Sequence, residues 1–107
     1  MDEQIAFDET FRPALRDEIR DHWRSRRHRL ERLLSRIPPE SRRLRICMRH
    51  GSLGYEVRAV LTVPFDRLAA EGRGDTWREA ADAVLDRLIR EIRDYKERRS
   101  PAGGALF

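Results

Sequence analysis

The sequence predicts an α+β domain in which two helices pack on one face of a three- or four-stranded, mainly antiparallel sheet, in the order (β)αβββα. Three observations predict this fold. Apolar residues recur at helical spacing from Phe11 to Ile37, alternate with polar residues from Arg43 to Val63, and return to helical spacing after Thr76. With 107 residues the chain can form one such core, and it is too short for an enzyme with separate cofactor and substrate domains.

The chain begins with an acidic segment, residues 1–9, in which Gln4 to Phe7 is expected to be either a short edge strand or a frayed end. The first helix follows, and the Thr10 hydroxyl can cap its start. Pro38 and the next proline are expected to stop it after Ile37. At about 1.5 Å per residue such a helix would be near 40 Å long, so one end is expected to project from so small a domain.

Three strands are predicted in the middle of the chain. Residues 43–49 alternate strictly between apolar and polar side chains and residues 55–63 form a second alternating strand, which is typical of half-buried strands. Residues 67–71 form a weaker third strand that the following glycines are expected to end. The strand face away from the helices would then carry a row of exposed basic side chains: Arg43, Arg45, Arg49 and Arg58.

A second helix is predicted from the pair Thr76 and Glu79, whose three-residue spacing is typical of a capping box. Its apolar positions continue to about residue 99. Residues 10–99 are therefore predicted to form one domain. Residues 100–107 hold one proline and two glycines and are expected to be a disordered tail.

Charge is distributed unevenly along the chain. The formal net charge is +4, but residues 12–49 alone hold 13 arginines against five acidic residues, which gives that segment +8. Residues 1–11 carry −4 and residues 50–107 are neutral. Gathered on one face by the fold, the +8 charge would attract phosphate, whereas the use of arginine for 22 of the 23 basic side chains can reflect a GC-rich genome, so composition alone leaves an RNA or DNA partner open.

The other reactive side chains do not suggest catalysis. The three histidines and the single cysteine, Cys47, form no metal-ligand spacing, and each histidine is expected to be a surface residue. No acid, base and nucleophile are grouped by pattern, so we predict a non-enzyme with no cofactor and no small-molecule substrate. No apolar run approaches the roughly 20 residues of a membrane span, and one cysteine favours a cytoplasmic location.

A family resemblance appears in the second half of the chain. The segment LAAEGRGDTW, residues 68–77, leads into Asp86-Arg87-Leu88 and the basic end YKERR, residues 95–99. It resembles the ribosome hibernation-promoting factor and ribosome-associated inhibitor family, also called sigma-54 modulation proteins, in which an L-x-A-E strand precedes a G-D-D-M-Y-x-A-I-D helix start. The resemblance covers residues 14–99 and departs from the motif at Trp77 and Arg78, so the chain resembles a divergent short form.

The resemblance implies a function. Members of that family bind the small ribosomal subunit in the channel used by mRNA and tRNA and stop translation in stressed cells. The implied partner is therefore the small subunit with its 16S rRNA. The family's basic helix positions and the arginine ridges of this sequence together give these predicted RNA-binding residues: Arg16, Arg20, Arg26, Arg29, Arg87, Arg90, Lys96, Arg98 and Arg99.

Two alternatives remain open at this point. The order αβββα is also that of double-stranded RNA-binding domains, although Asp75, Thr76 and Glu79 stand where such domains carry bases. The second alternative is a protein-interaction module in which the long first helix forms a homodimer. Its contact surface would be the apolar edge made by Trp23, Leu30, Leu33 and Ile37.

Overall fold

The fold is seen in a computed structural model that describes residues 1–99, with the backbone alone of Arg99. The predicted tail, residues 100–107, lies outside the described residues. The elements are β1 (Asp2–Phe7), α1 (Pro13–Leu33), a short 3₁₀ turn (Pro39–Ser41), β2 (Arg43–Gly51), β3 (Gly54–Val63), β4 (Asp66–Gly74) and α2 (Trp77–Arg99). The predicted α+β fold in the order (β)αβββα is confirmed.

The four strands form one mixed sheet in the order β1-β2-β3-β4. Strand β1 runs parallel to β2, with Ile5 opposite Ile46, and the other two pairs are antiparallel. Leu44, Leu61 and Leu68 lie opposite one another across β2, β3 and β4. Because side chains alternate along a strand, this register places the apolar residues of all strands on one face.

Both helices pack on that apolar face. Helix α1 buries Ile19, Trp23 and Leu30, and α2 buries Leu88 and Ile92, each at most 2% exposed. Full burial of a side chain of this size contributes roughly 1.5–3 kcal/mol. The opposite face of the sheet is covered by neither helix, and it carries charged and small side chains.

Helix α1 is shorter than the sequence predicts. It ends at Leu33 and is 21 residues long, about 31 Å, so the predicted length of near 40 Å is wrong. The Leu34 amide donates to the Leu30 carbonyl and the Ile37 amide to the Leu34 carbonyl, which turns the chain before the prolines. This turn keeps Leu34 and Ile37 in the core.

The apolar edge suggested as a homodimer surface is buried within the single chain. Trp23, Leu30 and Ile37 are at most 4% exposed, and Leu33 is half-buried against the same core. The sequence shows the apolar edge but not the sheet that covers it. The homodimer hypothesis therefore loses the surface on which it rested.

The start of α1 also differs from the prediction. Thr10 does not cap the helix, since its amide and hydroxyl both donate to Asp8 Oδ1. The N-cap residue is Arg12, which makes no side-chain capping hydrogen bond. Instead the Arg16 guanidinium donates from Nε to the Phe11 carbonyl at 2.8 Å and from Nη2 to the Asp8 carbonyl at 3.3 Å.

The start of α2 follows the predicted capping pattern. The Glu79 amide donates to Thr76 Oγ1 at 3.2 Å, and the Glu79 carboxylate accepts from the Asp75 amide at 2.9 Å. Strand β4 continues through Gly72 and ends at Gly74, three residues later than predicted. A Cβ added at Gly72 would lie 2.5 Å from the Val84 nitrogen, so this glycine lets α2 approach the sheet.

Candidate nucleic-acid interface

The two helices lie side by side and run in the same direction. The helices touch near their starts, where Arg78 Nη2 of α2 lies 2.7 Å from Glu18 Oε1 of α1. They also touch near their ends, where Lys96 Nζ of α2 donates to the Leu33 carbonyl of α1 at 3.0 Å. The solvent-exposed surface where the two helices meet, which we call the helix seam, is therefore lined by charged and polar side chains from both helices.

Acidic residues of α2 neutralise part of the α1 charge at the helix seam. Asp82 Oδ1 lies 3.2 Å from Arg26 Nε, and Asp86 Oδ1 lies 3.9 Å from Arg29 Nη1. Two predicted RNA-binding residues, Arg26 and Arg29, thus lie together on one surface. Their positive field is reduced by these carboxylates, although exposed ion pairs of this kind open at little cost.

His22 is not the surface residue that the sequence predicts. Its side chain is only 9% exposed, its Nε2 lies 3.0 Å from Asp82 Oδ1, and its ring meets Trp77 edge to face. The ring and Asp82 join the middle of α1 to the first turns of α2. A histidine at helical spacing beside the apolar stripe was the only sequence signal for this contact.

Arg16 and Arg20 lie on the other side of α1, next to β1. Their guanidinium carbons are 5.5 and 5.3 Å from the centre of the Phe7 ring, within the range of cation–π contacts. Arg20 also pairs with Asp17 at 3.3 Å. Arg16 is half-buried and its donors serve backbone carbonyls, so it holds the helix start as well as carrying charge.

Three predicted residues of α2 lie on its β4 side. Arg87 Nη1 donates to the Glu71 carbonyl of β4 at 2.6 Å, and Arg98 Nη2 lies 3.2 Å from Asp66 Oδ2. Arg90 is exposed, with no carboxylate within ion-pair distance among residues 1–99. Lys96 belongs to the helix seam, and the side chain of Arg99 is outside the described part of the chain.

The predicted residues thus fall into three groups. Arg26, Arg29 and Lys96 line the helix seam, and Arg16 and Arg20 lie against β1. The third group, Arg87, Arg90 and Arg98, lies toward β4. The structure brings together the members of each group but not the groups themselves. Whether they contact RNA stays a prediction.

Several basic residues outside the predicted set are the least neutralised. Arg32 in the last turn of α1, Arg36 in the turn that follows α1 and Arg93 of α2 are exposed, and within the described chain they have no carboxylate at ion-pair distance. Arg93 lies seven residues after Asp86 and three before Lys96, so helical spacing places it on the helix seam. The sequence signal was present in the ridge spacing, but the family motif did not include these positions.

One carboxylate away from the helix seam has a shifted titration. The Thr10 hydroxyl and the His50 amide both donate to Asp8 and hold the pKa of that carboxyl below its usual value of 3.8, with a smaller contribution from the charge of Arg49. The His50 amide donates to Oδ2 at 2.9 Å, so Asp8 ties the loop after β1 to the end of β2.

Two kinds of site are not found in residues 1–99. No group of three or more histidine, cysteine, aspartate or glutamate side chains is placed to hold a metal ion. None of the helices in this part of the chain is long and apolar enough to cross a membrane. The functional groups that remain as candidates in this part of the chain are therefore the guanidinium groups at its surface.

The fold and the surface charge place the chain among α+β domains with two parallel helices on one sheet face and basic side chains on several surfaces. The model of the family described as sigma-54 modulation protein and S30EA ribosomal protein matches residues 12–100. The chain belongs to this family, and its general role is that of a ribosome-associated modulation factor.

Solved structures share the fold. A ribosomal subunit interface protein from Coxiella burnetii superposes with a TM-score of 0.63 at 22% sequence identity, covering 91% of this chain and 99% of that one. At this identity the likeness concerns the fold alone. None of the curated proteins matches the chain.

Proposed function

We propose that this protein is a translation inhibitor of the hibernation type, which binds 16S rRNA of the small ribosomal subunit in the mRNA and tRNA channel when cells are stressed. It would work in the cytoplasm by occupying the channel, with no catalytic step. The observation that carries the proposal is the family match over residues 12–100, which spans both basic helices.

The charge of the helices supports this proposal. The helix seam offers Arg26, Arg29 and Arg93 along one line, and phosphate groups can replace the surface carboxylates that now pair with the first two. The protein lacks a cluster of exposed aromatic side chains on these helices in its described part, since Trp23, Trp77 and Tyr95 are buried. Recognition would therefore rest on backbone phosphates and RNA shape.

The decisive experiment is sucrose-gradient fractionation of lysates from stationary-phase cells at low salt. We expect the protein to sediment with 30S subunits and with larger ribosomal particles. Its restriction to the top of the gradient at low salt would contradict the proposal.

A matched pair of variants tests the surface. Arg29→Gln together with Arg93→Gln removes two charges from the helix seam, while Arg24→Gln with Arg12→Gln removes two charges elsewhere on or beside α1. We expect the first pair to weaken binding to purified 30S subunits about tenfold or more and to flatten its salt dependence. Equal binding by both double variants would exclude the helix seam as the contact surface. Free duplex RNA serves as the competitor, because equal affinity for it would favour a general double-stranded RNA-binding module.

A further inference from the structure

The sheet has a second basic surface on the side away from the helices. Its outward positions on β2, β3 and β4 define what we call the open face. Glu56, Glu71 and the edge residue Asp2 are the acidic side chains on this face within residues 1–99. Against these three it carries six arginines, Arg43, Arg45, Arg49, Arg58, Arg67 and Arg73.

Most of these arginines have no acidic partner. Arg43 pairs with Asp2 at 3.4 Å and Arg73 with Glu56 at 3.8 Å. The other four, Arg45, Arg49, Arg58 and Arg67, have no carboxylate within ion-pair distance in the described chain, and all four are exposed. The arginines of α1 differ, since five of its seven have such a partner: Arg20, Arg24, Arg26, Arg27 and Arg29.

The strand register holds three of these charges close together. Arg58 lies opposite Cys47, which places it diagonal to both Arg45 and Arg49 on the neighbouring strand. Diagonal neighbours in a sheet are about 7–8 Å apart, so three like charges surround one small side chain. Glu56 lies opposite Arg49 and Glu71 opposite Arg58, which reduces the repulsion, but neither pair is within ion-pair distance, so the guanidinium groups are available to a bound anion.

The surface around this group suits an extended, negatively charged chain. A shallow depression of about 320 Å³ is lined by Cys47, Arg49, Glu56, Arg58 and Arg73 among others. The floor beside it is made of small side chains such as Val60 and Ala69, and the strand positions of the open face carry no aromatic residue in the described part. Bases would find no ring to stack on, whereas phosphates would meet guanidinium groups from three strands.

We propose that the open face is a second RNA-binding surface that holds the phosphate backbone of a single-stranded segment, on the side of the domain opposite the helix seam. The inference rests on the proposed function for the choice of RNA as the polyanion. It extends that function, because one domain with basic surfaces on both sides can lie between two RNA segments instead of against one.

The test compares two triple variants of the full chain with equal charge change. Arg45→Gln, Arg49→Gln and Arg58→Gln remove the open-face group, and Arg29→Gln, Arg32→Gln and Arg93→Gln remove three charges from the helix side. Far-ultraviolet circular dichroism and thermal melting confirm that each is folded. Fluorescently labelled oligouridine and purified 30S subunits are the binding partners, each measured over a salt series.

We expect the open-face triple variant to bind oligouridine about tenfold or more weakly than the unmodified chain, with a salt slope flatter by about 2. On 30S subunits the two triple variants should each weaken binding, and the combined variant should lose affinity by the product of both factors, because the surfaces are separate.

Three results would overturn the inference. The first is an unchanged oligouridine affinity and salt slope in the folded open-face variant. The second is no further loss of 30S binding when the two triple variants are combined. The third is displacement of oligouridine by polyglutamate at equal charge concentration, which would assign the open face to acidic proteins. Failure of the proposed function looks different. In that case the unmodified chain would not sediment with ribosomes, while its oligouridine binding would still depend on the open face.

Discussion

His22 Nε2 lies 3.0 Å from Asp82 Oδ1, and the same carboxylate oxygen lies 3.2 Å from Arg26 Nε. One acidic side chain of α2 therefore holds two side chains of α1 that are a helical turn apart. The contact fixes how the helices lie against each other, and it also decides how much positive charge the helix seam presents. Under the proposed function, stability and affinity for RNA would be coupled through Asp82.

Replacing Asp82 with asparagine should change stability and binding in opposite directions. The Asp82→Asn variant loses the charge that pairs with Arg26, so we expect the free energy of unfolding to fall by about 0.5–1 kcal/mol, the size expected of a partly exposed pair. Affinity for 30S subunits at low salt should rise because the helix seam gains one net positive charge. Asp86→Asn is the control, since its contact with Arg29 is longer at 3.9 Å. It should raise affinity by a similar factor with a smaller loss of stability. Weaker ribosome binding by both variants would contradict this coupling.

Lys96 should behave as a structural residue, whatever its role toward RNA. Its ammonium donates to the Leu33 carbonyl at the end of α1, where carbonyls lack helical partners and the helix dipole favours a cation. We expect Lys96→Met to lower the free energy of unfolding by about 1 kcal/mol, measured by urea denaturation. Arg93→Met, one turn earlier and exposed, should leave unfolding within about 0.5 kcal/mol of the original. Equal destabilisation by the two changes would argue against the carbonyl contact.

Gly72 is expected to be the least replaceable glycine in the described sheet. Its added Cβ would lie 2.5 Å from the Val84 nitrogen and 2.6 Å from the Ala80 carbonyl oxygen, both backbone atoms that cannot rotate away. Gly72→Ala should therefore push α2 off β4 and cost about 3 kcal/mol or more, read as a fall in melting temperature. Gly51→Ala meets no atom within 4 Å and should melt near the original temperature. A stable Gly72→Ala protein would mean that the helix can shift outward at little cost.

Asp8 should make the stability of the domain sensitive to acid. Its pKa is held below 3.8 because first the Thr10 hydroxyl and then the His50 amide donate to the carboxylate. A carboxyl with a depressed pKa in the folded state stabilises the fold above the unfolded pKa, and this contribution is lost as the pH falls through the folded value. Asp8→Asn should thus lower the melting temperature at neutral pH, and its difference from the original should shrink below about pH 4. Glu9→Gln is the control, because it removes a neighbouring charge whose side chain makes no hydrogen bond within residues 1–99. A gap that stays constant on acidification would count against this role.

Phe65 lies in a backbone conformation that suits glycine. Its φ is +68°, it follows Pro64 in the two-residue turn between β3 and β4, and its side chain is 89% exposed. A residue with a Cβ pays roughly 1–2 kcal/mol for this region. We expect Phe65→Gly to raise the free energy of unfolding by about 1 kcal/mol in urea denaturation, because little apolar burial is lost. Phe65→Val, which is β-branched and worse suited to positive φ, should instead destabilise. Stabilisation by valine would show that the backbone strain is not the dominant factor.

The order of elements could be predicted from periodicity because each strand and helix here is amphipathic. Alternation from Arg43 to Arg49 and helical spacing after Thr76 reflect which side faces the core. The errors arose where local hydrogen bonds compete. Leu34 and Ile37 continue the apolar stripe of α1, but a turn and not a helix delivers them to the core. Thr10 has the right chemistry for a cap, yet Asp8 takes both of its donors.

The sequence by itself determined the α+β architecture, the face that each element buries and the concentration of arginine in residues 12–49. Arg20 and Arg24 pair with aspartates three residues before them, which the spacing along the chain indicates. Only the tertiary structure decided that Arg26 meets Asp82 and that Arg29 meets Asp86, because these partners are far apart in the sequence. The net charge of a segment can be counted from its sequence. The electric field at a surface depends instead on the distances between charged groups, and those distances are set by the fold.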